Sequence, residues 1–414
     1  MSESTLFTGQ PVMNQLLSLI PKWLVKELAE KHGADRYCKN FFSYDHLVTM
    51  LYSTFSQCGS LRELISGLQV NQHRLLHLGL LRTPCRSTLA DANTRRPEAF
   101  FEDLFHRLYQ LHYGALPDSR RGRKDIWSRL FIMDSTTISL FTDVMQGVGR
   151  HPHNGRRKGG AKAHVLMRAQ EDVACFVRIA QGTENDKVMF RHAVLPKGSI
   201  VALDKGFNSY AQYAVWTEQG VVFVTRMNGN AVYEMVEERE VSENQRKLGV
   251  QADRVVEMTG AGNPGTTRIK ARLVHFYDAT KKKLLTFMTN DMVHAPATIA
   301  AIYKRRWQIE LLFKRIKHNY PLHYFLGDSP NAIKIQIRPK AGCALIADLL
   351  LKVVKDRVDH SSERRWSFAD LAGIVRLHLT TYVDLFAFLR NPEKALLRYR
   401  PPDLTIQQLA LAFA

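Results

Sequence analysis

Four residues in the stretch YKRRWQIELLFKRIK (303–317) have the chemical types and spacing of a working site: Tyr303, Arg306, Glu310 and Lys317. At ~100° per helical residue they fall within about 60° of one another. Ile309, Leu312, Phe313 and Ile316 occupy the neighbouring sector, which is expected to be buried. The segment thus presents one acid flanked by two bases beside an apolar face. By default, Glu among Arg and Lys on a helix is a solvated ion-pair surface. Chemistry requires partners elsewhere in the chain.

Two aspartates are candidates. Asp134 closes the apolar run LFIMD, and Asp204 closes IVALD. A single strand-end Asp is usually a cap or turn former, but carboxylates on buried strands are costly unless paired or metal-bound. Two of them, with a helical Glu, form the donor set of a hard divalent cation such as Mg2+, which takes oxygen ligands. Two such ions could activate a nucleophile and stabilise the leaving oxygen of a phosphodiester. Without a cation, three converging acids would raise one another's pKa. Asp186 in TENDK competes with Asp204 for the second position. Asp204 is preferred because it ends an apolar strand, whereas Asp186 lies in a polar, loop-like stretch.

The elements that must position these residues change along the chain. Residues 1–120 read as helical, with apolar residues at three and four spacing in NQLLSLIPKWLVKELAEKHG and PEAFFEDLFHRLYQLHYG. The basic stretch SRRGRKD (119–125) marks a boundary. Residues 121–227 contain short β-rich runs, and LFIMD and IVALD resemble strands buried on both faces of a mixed sheet. Residues 228–284 read as a β insertion whose last segment, KKKLLTFMTND, returns to the main sheet. Residues 285–340 carry the helix APATIAAIYKRRWQIELLFKRIKHN, and 341–414 form a helical tail. Pro339 is a candidate kink.

Bulk composition agrees with this plan. The 414 residues carry 58 Lys and Arg against 39 Asp and Glu, a net charge of +19, which points to a polyanionic partner. Apolar residues make up 45% of the chain, enough for packed cores, so global disorder is excluded. Cys38, Cys58, Cys85, Cys175 and Cys343 include no CxxC pair, which argues against a zinc or disulfide framework. The apolar run 344–354 is interrupted by Asp348 and Lys352 and is too short to span a bilayer. With no signal-peptide pattern, a cytoplasmic protein is expected. RRGRK (120–124) and RHPHNGRRKGGAK (150–162), with Arg156, Arg157 and Lys158, are either solvated loops or a track along a phosphate backbone. His151 and His153 have no nearby acid or Cys to complete a metal site, and His164 is expected to pack on the sheet.

Y-x2-R-x3-E-x6-K (Tyr303, Arg306, Glu310, Lys317) resembles the signature of the bacterial insertion-sequence transposases of the IS-four family. MDSTTISL and LDKGFNSY resemble the regions of the family's two catalytic aspartates. GGAKAHVLM, FVTRMNGN and LTFMTND resemble their flanks. NQLLSLIPKW and RSTLADANTRRP are similar to the N-terminal domain of one branch, so the likeness covers nearly the whole chain. It implies an α/β, ribonuclease-H-like core interrupted by a β insertion and flanked by N- and C-terminal helical domains. It implies cut-and-paste transposition with Mg2+ or Mn2+, two ions in all, with a hairpin intermediate as in related enzymes. Carried onto this sequence, Asp134, Asp204 and Glu310 would be the catalytic metal ligands. Tyr303, Arg306 and Lys317 would hold phosphates and distorted nucleotides. Transposon-end and target double-stranded DNA would be the partners, the 1–120 domain would meet the ends, and a homodimer would bring two ends together. Trp307 is a candidate stacking partner for an unstacked base, although its helical angle lies off the acid face and favours packing. The rivals are a nuclease of the same fold that never joins strands, and a DNA-binding regulator with a dead core.

Overall fold

The computed structural model describes residues 9–114, 125–140, 146–150, 157–258, 267–320, 330–362 and 364–397. They divide into two compact units, one formed by residues 1–108 with 318–414, the other by residues 109–317.

The first unit begins with helices α1 (Val12–Leu17), α2 (Lys22–Lys31), α3 (Ser43–Phe55), α4 (Leu61–Val70), α5 (Gln72–Leu75), α6 (Arg86–Arg95) and α7 (Glu98–Tyr109). The start of α3 is fixed by two carboxylates. Asp45 Oδ2 accepts from the Phe42 N–H at 2.8 Å, and Asp35 Oδ1 accepts from the Ser43 N–H at 2.6 Å. Such acceptors satisfy donors that a helix start leaves free.

The second unit is built on a ten-stranded sheet: β1 (Leu130–Leu140), β2 (Gln146–Arg150), β3 (Arg157–Arg168), β4 (Val173–Gln181), β5 (Ile200–Leu203), β6 (Val222–Arg226), β7 (Tyr233–Arg239), β8 (Val250–Met258), β9 (Ile269–Asp278) and β10 (Lys283–Thr289). β1, β3 and β4 pair antiparallel, while β5 runs parallel to β1 and β6 parallel to β5. The spatial order β4-β3-β1-β5-β6 with these directions is the ribonuclease-H-like arrangement. Helix α8 (Tyr210–Glu218) makes the crossover from β5 to β6, as parallel strands require. Its Tyr213 is buried and stacks on Phe223 of β6 at 4.1 Å.

Beyond β6 the sheet continues as β10-β9-β8-β7. The stretch expected as an insertion therefore lengthens the same sheet, and its last strand, β10, pairs with β6. Between β7 and β8 lies the short helix α9 (Glu243–Lys247). Helix α10 (Pro296–Arg305) packs on β5, β6, β9 and β10, and α11 (Trp307–Asn319) follows it. Ile309, Leu312, Phe313 and Ile316 are buried, as their spacing predicts. The single helix expected here has a hitch at Arg306, where Ile309 N bonds back only three residues, to Arg306 O, at 3.3 Å.

The chain completes the first unit with α12 (Pro330–Asp359), α13 (Phe368–His378), α14 (Leu385–Arg390) and α15 (Pro392–Leu397). The helix runs through Pro339 without a break. α12 packs on α3 and α6. Gly342 lets it approach α7, since a Cβ there would stand 3.0 Å from Phe101 Cβ. The terminal segments are stitched together: Met13 N donates to Leu379 O at 2.8 Å, and the Gln15 amide bonds both Val383 O and Leu385 N. The two terminal helical stretches, separate in the sequence plan, thus form one unit. No helix among the described residues is long and apolar enough to cross a membrane.

Candidate active site

Strand register brings the two aspartates together. Met133 of β1 is the partner of Leu203 of β5, in parallel. Asp134 and Asp204 are the next residues on these neighbouring parallel strands, so they stand side by side where β5 ends, while β1 runs on past Asp134 to Leu140, paired with β3. Each is turned by the backbone that follows it. Ser135 N donates to Asp134 Oδ1 at 2.8 Å, and Gly206 N donates to Asp204 Oδ2 at 3.4 Å.

The α10–α11 segment closes over this pair. Arg306 Nη1 donates to Asp134 Oδ2 at 3.1 Å, and its Nη2 donates to Glu310 Oε1. The Tyr303 hydroxyl donates to Asp204 Oδ1 at 3.4 Å while its ring rests against Phe287 of β10, 4.8 Å between centroids. Lys317 Nζ donates to Thr136 Oγ1 at 2.6 Å and to Thr137 O at 2.9 Å. Tyr303 therefore reaches Asp204, Arg306 and Lys317 reach β1 at and just beyond Asp134, and Glu310 is joined to Asp134 through Arg306. Glu310 points away from the apolar face of its helix, toward Arg306.

Electrostatics follow from crowding and burial. Burial, with the added repulsion of Asp204 and Glu310, raises the Asp134 carboxyl to about 6, although Ser135 N–H and Arg306 pull it down. Burial, then the Asp204 charge, raises the Tyr303 phenol. Burial alone would lower the Arg306 guanidinium, but its bonds to Glu310 and Asp134 raise it overall. Burial lowers the Lys317 ammonium.

Asp186, the competitor for the second position, lies elsewhere. It binds Ser135 Oγ at 2.5 Å and Lys162 Nζ at 3.2 Å, on the sheet face opposite Asp134. His164 is buried on that same face. Trp307 is not packed as its helical angle suggests, since it is 54% exposed. Arg157 and Lys158 begin β3, but their side chains lie outside the described residues, as do Arg156, His151, His153 and 120–124. Thr136, which receives Lys317, did not stand out from its neighbours in sequence. Its signal was its place two residues beyond Asp134, on the same strand face.

Among the described residues, no three His, Cys, Asp or Glu side chains stand close enough together to hold one metal ion. A cation nevertheless already occupies two of the three acids, the Arg306 guanidinium on Asp134 and Glu310. The donors are hard carboxylate oxygens, the type Mg2+ and Mn2+ take.

A ribonuclease-H-like sheet with aspartates side by side on neighbouring parallel strands and a glutamate-bearing helix joined to one of them defines the class of DDE transposases. A family model described as a transposase DDE domain matches residues 128–346, and one described as a domain of unknown function matches residues 8–81. The chain is 31% identical over 332 residues to "Putative transposase y4zB" of Sinorhizobium fredii, covering 80% of this chain and 87% of that one. It is 24% identical over 274 residues to "Putative transposase for insertion sequence element IS4SA" of Synechocystis sp., covering 65% and 71%. The chain belongs to the bacterial insertion-sequence DDE transposases: a divalent-metal-dependent enzyme of DNA transposition whose partner is DNA.

Proposed function

We propose that Asp134, Asp204 and Glu310 are the catalytic carboxylates of a cut-and-paste transposase and that they hold two Mg2+ or Mn2+ ions. The observation that carries this reading is Arg306 joining Asp134 to Glu310 while Tyr303 reaches Asp204. When bound, such ions make water a stronger nucleophile and stabilise the leaving oxygen.

The protein's own groups do the rest. Asp134 within β1 and Asp204 just past β5 each accept a backbone N–H, so their oxygens are set before substrate arrives. Arg306 carries the planar fork that fits a phosphate in two bonds, and Lys317 supplies a point charge beside it. Tyr303 holds the cleaved end with its hydroxyl. Exposed Trp307 offers a stacking face for a base unstacked in a hairpin, an unstacking that costs a few kcal/mol. Water would free the transposon 3′ end. The 3′-OH would attack the opposite strand to form the hairpin, and after reopening it would attack target DNA. The N-terminal helices would meet the transposon ends, and Arg156, Arg157 and Lys158 would follow the phosphate backbone. A homodimer would hold two ends together in a cytoplasmic, nucleoid-associated complex.

The test uses the full-length protein with linear DNA carrying the ends of its own element, in Mg2+ or EDTA, beside Glu310→Gln. Metal-dependent nicking at the element end followed by joined products, both lost in Glu310→Gln, is the expected result. Nicking without joining would replace the transposase reading by a nuclease. Salt-sensitive binding without cleavage would mark a regulator. Full activity of Glu310→Gln would remove the carboxylate assignment.

A further inference from the structure

The charged cluster around Asp186 has no part in the reaction described so far, yet it touches the catalytic strand. Register places Ser135 opposite His164, Thr137 opposite Lys162, and His164 opposite Arg178. These side chains share the sheet face that Asp134 and Thr136 do not use. There Asp186 Oδ1 accepts from Ser135 Oγ at 2.5 Å and from Lys162 Nζ at 3.2 Å. Lys162 also donates to Glu184 O at 2.8 Å, and Glu184 pairs with Arg178 and lies 3.3 Å from His164 Nε2. The cluster is matched in charge by Lys162 and Arg178, which argues against a second cation site.

One link crosses the strand. Ser135, held by its hydroxyl on one face, donates its backbone N–H to Asp134 Oδ1. Lys317 grips Thr136 on the other face. The two residues that follow Asp134 are therefore pinned from opposite sides.

We propose that Asp186 is a positioning residue: by fixing the Ser135 hydroxyl it holds the peptide N–H that orients the Asp134 carboxylate. The proposal rests on Asp134 being a catalytic ligand. A plain ion pair between Asp186 and Lys162 would stabilise the unit without needing Ser135, so the serine separates the two roles.

The experiment uses Ser135→Ala in the full chain, which keeps the Asp186–Lys162 pair. Two quantities are read: Mn2+ binding to the protein without DNA, followed by electron paramagnetic resonance, and kcat and KM for first-strand cleavage. Partners that orient a metal ligand typically change metal affinity or rate by about 10- to 100-fold. The expected result is a loss of that size in Mn2+ affinity and kcat, with KM for DNA unchanged and with recovery in Ser135→Thr. Wild-type Mn2+ binding and kcat in Ser135→Ala would overturn the proposal and leave Asp186 a structural residue. Asp134→Asn is run alongside. If it cleaves normally, the reading of Asp134 fails and the positioning role with it. If it is inactive while Ser135→Ala is normal, only the positioning role falls.

Discussion

Arg272→Met would test how the α10–α11 segment is anchored. Arg272 is 2% exposed and Asp253 3% exposed. Between them run two bonds, Nε to Oδ1 at 2.8 Å and Nη2 to Oδ2 at 2.7 Å. Nη1 also donates to Asp291 O at 3.0 Å and His294 O at 2.7 Å, in the connection that enters α10. Methionine keeps much of the length but leaves a buried carboxylate alone and two carbonyls without this donor. Breaking one side of a buried pair costs about 3–5 kcal/mol. Each carbonyl left unsatisfied adds on the order of 1 kcal/mol. Against a typical stability of ~5–15 kcal/mol, that is a large share. Removing the orphaned charge as well, in Arg272→Met/Asp253→Leu, should recover most of the loss, because a buried pair replaced by apolar groups is often close to neutral. Hydrogen exchange of β8 and β9 amides in increasing urea reads this region directly. A single-variant cost below about 1 kcal/mol, or a double variant no better than the single, would refute the assignment of Arg272 as a buried anchor.

Two further predictions concern separate regions. Lys317→Ala should cost on the order of 1 kcal/mol of stability, since it removes the bonds to Thr136 and Thr137 from a partly exposed ammonium, while reducing the salt slope of DNA-end binding by about one phosphate contact. An unchanged slope in a binding titration against salt would show that Lys317 meets no phosphate. In the first unit, burial, then the Arg96 charge, lowers the His46 imidazole from 6.5 to about 3, against its bond to Asn93. Its folded pKa lies below its unfolded one, so the unfolded chain takes up the proton first and stability falls as pH drops from 6.5 toward 3. Between pH 7.5 and 5.5 the loss is about 1.4 kcal/mol. His46→Gln should flatten that part of the stability–pH curve, measured by urea unfolding at the two pH values, and an unflattened curve would place the titrating group elsewhere.

Parts of this architecture were legible because they depend on short-range pattern. IVALD reads as a buried strand ending in an acid because the apolar run and the break are contiguous; LFIMD reads the same way, but its strand runs on past Asp134 to Leu140, carried by pairing with β3 that the polar continuation does not announce. Ile309, Leu312, Phe313 and Ile316 revealed the buried stripe because helical period is local. What was not legible depends on pairing at a distance. Nothing local in YEMVEER says that β7 lies at the edge of the same sheet as β1. The bonds of Met13 and Gln15 to residues 379–385 join segments whose periodicities are unrelated. The hitch at Arg306 escaped because its residues are good helix formers. Asp186 reads as a loop acid from its polar neighbours, and only the folded chain shows that it reaches Ser135.

The signature helix carries bases beside its one acid for a reason that the geometry makes physical. Burial is the main force that pushes Asp134 to about 6, and the neighbouring Asp204 and Glu310 charges add repulsion even with Arg306 beside it. A guanidinium bonded to Asp134 and Glu310 offsets that repulsion in the free protein and holds both acids in place. The same guanidinium has the shape that fits a phosphate, and it cannot satisfy two carboxylates and a phosphate fully at once. If Asp134 and Glu310 take divalent ions as proposed, those ions neutralise the acids and Arg306 is left for DNA. Arg306 then has two successive partners, and the order is set by charge: acids in the free protein, phosphate in the loaded one. Lysine would serve each role less well, since a point charge can neither bridge two carboxylates in a plane nor bind phosphate in two bonds.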